Sequence, residues 1–316
     1  MANLHIIKPG WQSTIQDLGR QGYFRSGLSE GGALDEIAFR WANVLLNNPP
    51  NAACIEILMG NFEAEFEQAT CIAITGADLG CTLNGQAVGN WQSLTVKKGD
   101  RIRFNSPVSG LRAYLAIAEG WQTPIQFGSR STVLREKLGG LDGHKLQAGQ
   151  QLAYQANLVE APKQILKPQW IPNYNAELIL KVLPSYQYEQ FSETAKRRFF
   201  TSEYDVSQRI DRMGYRLEGP EVKAQSQQLI SEGIAMGAIQ VPPDGQPIVL
   251  LKDRQTIGGY PKLGCVATLD CSLLCQQTPG KQVRFELSDV ATVQIERRLF
   301  ERKLEYFNLD INKIVN

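Results

Sequence analysis

The chain has 316 residues, 43% of them hydrophobic, enough for two domains that each bury a core. Its 33 Lys and Arg stand against 32 Asp and Glu, a net charge of +1 without the basic excess that nucleic acid or another polyanion demands. No run of about 18 apolar residues is present, and MANLHIIKPGWQSTIQDLGR lacks the basic-then-apolar order of a signal peptide. A cytoplasmic protein with no membrane partner is therefore expected, its cysteines reduced.

In chain order, ALDEIAFRWANVLLNN (33–48) spaces Ile37, Trp41, Val44 and Leu45 on one helical face and stops at an Asn-Asn-Pro-Pro breaker. Phe62 to Phe66 alternates as a half-buried strand, CIAITGADL (71–79) reads as an apolar strand, and TLNGQAV (82–88) carries the Asn-Gly hairpin signal. LTVKKGDRIRF (94–104) is a second hairpin candidate with Lys98-Gly99-Asp100 at its tip, and RAYLAIAEG (112–120) a buried strand. A linker with three prolines is expected at 159–176, separating domains at 1–158 and 177–316. SETAKRRFF (192–200) predicts a helix opened by Ser192, and LDCSLLCQQT (269–278) another.

In that last helix Cys271 and Cys275 fall on one side. With no CxxC, and His5 and His144 distant in sequence, buried small side chains fit better than metal ligands. TLNGQAV and KKGDRIRF echo PPDGQPIVLL and TPGKQVRFELS in the second half, which points to two related, closed or nearly closed sheets. The chain reads as mainly β with a few short covering helices.

Four segments combine glycines with charge. TIQDLGRQGYFRSGLSEGGALD (14–35) holds Asp17, Arg20, Tyr23, Arg25 and Asp35; its backbone can approach a ligand closely, or Asp17 and Arg20 can simply pair. FGSRSTVLREKLGGLDG (127–143) places Arg130 among Ser129, Ser131 and Thr132, a set able to hold a carboxylate or phosphate, or else a turn with Ser129 or Ser131 capping a helix. SQRIDRMGYRLEGPE (207–221) gathers Arg209, Arg212 and Arg216 about Asp211, as a shaped loop or a solvated ion-pair face. SEGIAMGAIQVPPDGQPIVLLKDRQTIGGYPKLG (231–264) sets Asp253 at a strand end, with Gln255, Tyr260 and Lys262 around a double glycine. A carboxylate, an ammonium and an amide there can orient and polarise a small amide substrate; a plain Asp253–Lys262 ion pair is the alternative. HExxH, GxGxxG and the Walker phosphate loop are not found.

The runs TIQDLGRQGY, GGALDEIAFRWANVLLNN, ITGADL, FGSRST, RMGYRLEGPE, DRQTIGGYPKLG and PGKQVRF, in order along nearly the whole chain, resemble the allophanate hydrolase subunit 2 family, also described as KipA-like or biotin-dependent carboxyltransferase-like. His144 stands where that family commonly shows arginine. The resemblance implies two tandem cyclophilin-like β-barrels. It also implies work within an ATP-dependent 5-oxoprolinase, as the C subunit of an enzyme that converts 5-oxo-L-proline to L-glutamate. The expected partners are a KipI-like B subunit and a lactam-utilisation-type protein as the A subunit, and the whole complex is expected to use ATP with magnesium. Two alternatives follow from the same resemblance: a KipA-like regulator binding a KipI-type kinase inhibitor, or a carboxyltransferase component acting on urea or a similar amide. No AMKM-type lysine is present, so no biotin is expected on this chain. Asp253, Gln255 and Lys262 are the candidate catalytic residues; Arg130, Arg212, Asp17, Arg20 and Tyr260 are candidates for binding substrate or an anion.

Overall fold

The computed structural model describes residues 1–156, 163–225 and 229–315. The chain divides into two compact units, one of Met1–Gln21, Gly31–Asn175 and Arg302–Asn316, the other of Gly22–Glu30 and Ala176–Glu301. Of the linker expected at 159–176, residues 159–162 lie outside the described residues. Within 163–175, Trp170 stacks on Trp41 at 5.5 Å between ring centroids.

The first unit contains β1 (Ala2–Pro9), β2 (Gln12–Gln16), α1 (Glu36–Val44), β3 (Cys54–Leu58), β4 (Phe62–Phe66) and β5 (Thr70–Asp78). It continues with β6 (Thr82–Leu83), β7 (Gln86–Ala87), β8 (Gln92–Val96), β9 (Arg101–Phe104), β10 (Ser109–Ile117) and β11 (Gln151–Tyr154). Two sheets form, ordered β11-β1-β4-β9-β6-β7 and β2-β3-β10-β5-β8. Leu4, Phe62, Phe66 and Phe104 of the first share one core with Ile55, Ile57, Ile74 and Leu115 of the second. Each such side chain contributes about 1.5–3 kcal/mol through burial. Helix α1 packs on β5 and β10, which explains why eight of the nine residues of β5 are buried instead of alternating. Asp35 caps it, accepting the Ala38 N–H at 2.9 Å.

The Asn-Gly hairpin forms as expected: Leu83 pairs with Gln86 across Asn84 and Gly85, which take positive φ of 52° and 81°. The second expected hairpin does not. β8 pairs with β5, while β9 pairs with β4 and β6, so Lys97–Asp100 is a corner between sheets. There the Gly99 N–H donates to Phe66 O and the Asp100 carboxylate accepts the Lys97 N–H.

The second unit contains β12 (Leu178–Pro184), α2 (Glu193–Thr201), β13 (Tyr204–Ile210), β14 (Gly214–Glu218), β15 (Glu232–Gly233), β16 (Ala238–Gln240) and β17 (Ile248–Leu250). β18 (Ile257–Gly258), β19 (Lys262–Val266), α3 (Thr268–Leu274) and β20 (Gln282–Leu287) follow, and α4 (Val290–Val315) ends the chain. Seven strands close a barrel in the order β12-β19-β16-β17-β14-β13-β20, sealed by the parallel pairing of β12 with β20 from Leu178↔Val283 to Val182↔Leu287. β15 and β18 form a separate two-stranded ribbon. Helix α2 opens at Ser192, whose hydroxyl accepts the Ala195 N–H, and lays Phe199 on Phe285 at 4.4 Å. The mainly β class with covering helices is thus present. The long helix α4 was not anticipated, although Phe300, Leu304 and Phe307 are spaced i, i+4, i+7 along it and buried. No helix among the described residues is long and apolar enough to cross a membrane.

Candidate functional site

In the first unit Asp17 is buried at the end of β2 and accepts four hydrogen bonds. Ser129 and Ser131 donate their hydroxyls to Oδ1 at 2.6 and 2.5 Å, the Arg130 N–H reaches Oδ2 at 2.7 Å, and the Gly19 N–H reaches Oδ1 at 2.8 Å. Arg20, also buried, donates from Nη2 to the Ser131 carbonyl. The two serines therefore hold a carboxylate of the chain itself. They do not cap the short 3-10 turn Leu134–Glu136, which has no side-chain cap. Asp17, Arg20 and Arg130 thus meet at one place, and what the place does is fix three loops. Gly139 is required there, because a Cβ on it would lie 2.0 Å from the Ser131 carbonyl oxygen.

The second unit assembles charge differently. β17 ends at Leu250, and Lys252, Asp253 and Arg254 follow, all at most 7% exposed. Asp253 meets Arg212 in a two-pronged ion pair, Nε to Oδ2 at 2.9 Å and Nη2 to Oδ1 at 3.0 Å. Its neighbours turn to Glu30: Lys252 Nζ is 2.9 Å from Oε1 and Arg254 Nη1 3.2 Å from Oε2. Burial pushes the Glu30 carboxyl up, but the two cations outweigh burial and hold it below its ordinary value. Arg254 also donates to the Ile234 and Leu251 carbonyls and lies 5.0 Å from the centre of the Phe24 ring.

Lys262, 6% exposed at the start of β19, places Nζ 2.6 Å from Glu232 Oε1. Gln187 ties this pair down, donating to the same Oε1 at 2.8 Å while its Oε1 accepts the Lys262 N–H at 2.7 Å. Tyr186 donates its hydroxyl to Glu232. The Asp253–Lys262 ion pair is accordingly not formed; each has its own counter-ion. Gln255 is half-buried, and Tyr260 is 44% exposed.

Glu232 and Gly258 are partners in the β15–β18 ribbon, and Gln240 and Lys262 are partners between β16 and β19. A Cβ built on Gly258 would stand 2.9 Å from Gln240 Nε2 and 3.6 Å from Gln255 Nε2. A bare glycine is thus bordered by two amide nitrogens, beside a lysine held by a carboxylate. Such a group can bind the oxygen of an amide and place a cation near it.

Glu30, Gln187, Glu232, Gln240, Lys252 and Arg254 were not among the expected residues. Glu30, Glu232, Gln240, Lys252 and Arg254 lie in segments the sequence singles out for glycine and charge, but the ion-pair partners of Glu30, Glu232, Lys252 and Arg254 are 30 or more residues away. The cysteines stay out of the chemistry: burial pushes the Cys265 thiol up to about 11 and raises that of Cys271 as well. Among the described residues no three His, Cys, Asp or Glu gather as a metal site. A separate cleft in the first unit, about 310 Å³ and lined by Lys8, Trp11, Glu63 and Arg103, contains none of the expected residues. There Glu63 takes both cations, Arg103 at 2.7 Å and Lys8 at 3.4 Å.

Comparison with known proteins gives a consistent picture. The family described as carboxyltransferase domain, subdomain A and B, matches residues 26–287. The C subunit of the 5-oxoprolinase of Escherichia coli (strain K12) is 37% identical over 283 residues, 89% of this chain and 90% of that protein. The protein of the same name from Haemophilus influenzae is 34% identical over 314 residues, 99% of each. Among solved structures, the K. lactis urea amidolyase superposes with a TM-score of 0.89 at 26% identity, covering 96% of this chain. The chain spans only 20% of the length of that urea amidolyase.

Proposed function

The chain belongs to the family of the carboxyltransferase domain, subdomains A and B, and on that premise we propose that it serves as the C subunit of an ATP-dependent 5-oxoprolinase. The observation that carries this reading is end-to-end likeness to two bacterial proteins of that name. In the reaction, 5-oxo-L-proline is opened to L-glutamate while ATP is hydrolysed. The lactam carbonyl must be polarised or phosphorylated before water adds and the C–N bond breaks, its nitrogen taking up the proton. Gln255, Lys262 and Tyr260 border the proposed substrate position. Arg212 acts through Asp253, fixing the loop that carries Gln255. A KipI-like B subunit and a lactam-utilisation-type protein in the role of the A subunit complete the enzyme. ATP with magnesium is assigned to the assembled complex, since this chain has no Walker loop.

The test is glutamate release from 5-oxo-L-proline and ATP by the three proteins together, with wild type and Lys262→Ala compared and complex formation checked for both. The expected result is an assembled but inactive variant, at least about 100-fold down. Equal activity would reduce Lys262 to a structural residue. An inactive wild-type assembly would sink the oxoprolinase reading and favour the second one, a carboxyltransferase component acting on urea or a similar amide with biotin on another protein. The family description and the likeness to urea amidolyase favour that alternative.

A further inference from the structure

Gln240 sits on β16 and is 2% exposed, yet among the described residues its Nε2 has no hydrogen-bond partner. A buried donor left unpaired opposes folding, and a side chain with no other duty would be replaced by an apolar one at no loss. The amide is held in place by its surroundings. Its strand partner on one side is Lys262 and on the other Ile248, so Gln240 and Lys262 project from the same face of the sheet. What lies over the amide is Gly258: any Cβ there would come within 2.9 Å of Nε2 and 2.7 Å of Ile234 Cδ1. Gly258 has no need of glycine on backbone grounds, since its φ is not in the left-handed region. Its missing side chain is a matter of space. Gln255 brings a second amide nitrogen within 3.6 Å of that same point.

We propose that Gln240 is a substrate-binding donor: its amide N–H reaches, past Gly258, the carbonyl oxygen of a small cyclic or open-chain amide, with Gln255 as second donor and Lys262 supplying the nearby positive charge. This rests on the reading of the site as one that acts on an amide. The function of Gln240 then explains the unpaired amide, which its place in the strand does not.

Gln240→Met, of similar length but without the N–H, separates the two roles. In the assembled enzyme it lowers kcat/KM for 5-oxo-L-proline about 10- to 100-fold, while the melting temperature of the chain stays level or rises. Inhibition by L-proline, which has the ring and carboxylate but no ring carbonyl, stays unchanged. A kcat/KM within twofold of wild type, or a variant that loses stability and keeps activity, would overturn the assignment. If Gln240→Met does not fold, Gln240→Glu is read by the same criteria. If the assembled wild type releases no glutamate, the oxoprolinase reading falls separately. Calorimetry of urea and 2-pyrrolidinone on the isolated chain then decides for Gln240: binding by wild type that Gln240→Met abolishes supports it, and equal binding or none by either overturns it.

Discussion

The Asp17 cluster of the first unit and the charged residues Lys252, Asp253, Arg254 and Lys262 of the second are both buried and glycine-bordered, yet they are solved in opposite ways. Asp17 takes four neutral donors on its two oxygens, with backbone and hydroxyl groups as close as 2.5 Å. Around Lys252–Lys262 each cation has a carboxylate, and beside them one buried amide nitrogen is left over. A carboxylate wrapped in its own chain is complete and has nothing to offer a ligand. Charge, burial and glycine content do not distinguish the two; the partners do, neutral donors for the Asp17 carboxylate and cations for Glu30 and Glu232.

The contrast breaks first at Asp17. Asp17→Ala leaves two hydroxyls and two backbone N–H groups unpaired in the interior, and urea unfolding should show a loss of about 4 kcal/mol. Next comes Arg212→Met, which removes the two-pronged counter-ion of the Asp253 carboxylate and should cost about 3 kcal/mol. The double variant Arg212→Met, Asp253→Met should recover most of that, because a buried ion pair can be exchanged for packed apolar groups. Asp17 offers no such rescue, since its partners include main-chain N–H groups. A smaller effect concerns Glu30. Its folded pKa is lowered by Lys252 and Arg254, so its stabilisation is complete above the ordinary value of 4.5 and lost as pH falls through the lower folded value. Glu30→Gln should therefore be less stable than wild type at pH 6, and the gap should narrow steadily toward pH 3. The smallest effect belongs to Arg130→Ala. Only the backbone N–H of Arg130 serves Asp17, so the change should stay within about 0.5 kcal/mol.

What the chain reveals locally, it reveals well. Asn84-Gly85, the Ser192 cap and the run of Cys271 and Cys275 depend on neighbours within a few residues, and each is where the residues indicate. Sheet membership is another matter: β8 and β9 are four residues apart and join different sheets, because their partners lie on β5 and β4. The same distance problem governs the site. Asp253, Gln255 and Lys262 mark the right loop, but Arg212, Glu232, Gln187 and Glu30 are brought to it by the fold across 30 to 222 residues. Arg130 and Asp17 look like anion binders only until Ser129 and Ser131 are seen to spend their hydroxyls on Asp17. The helix α4 was readable from its apolar spacing, and its opening Asp289, whose carboxylate accepts the Thr292 N–H at 2.9 Å, is an ordinary cap.

The closure of the second barrel has a consequence for how the protein is made. Among the described strands β20 comes last in chain order, and it pairs with β12 on one side and β13 on the other. A nascent chain stopped short of Gln282 therefore carries an open ribbon with two bare edges, each able to recruit a strand from another molecule. Six residues, Gln282–Leu287, remove both edges in one step. Until those six residues emerge, protection against strand-edge aggregation is incomplete.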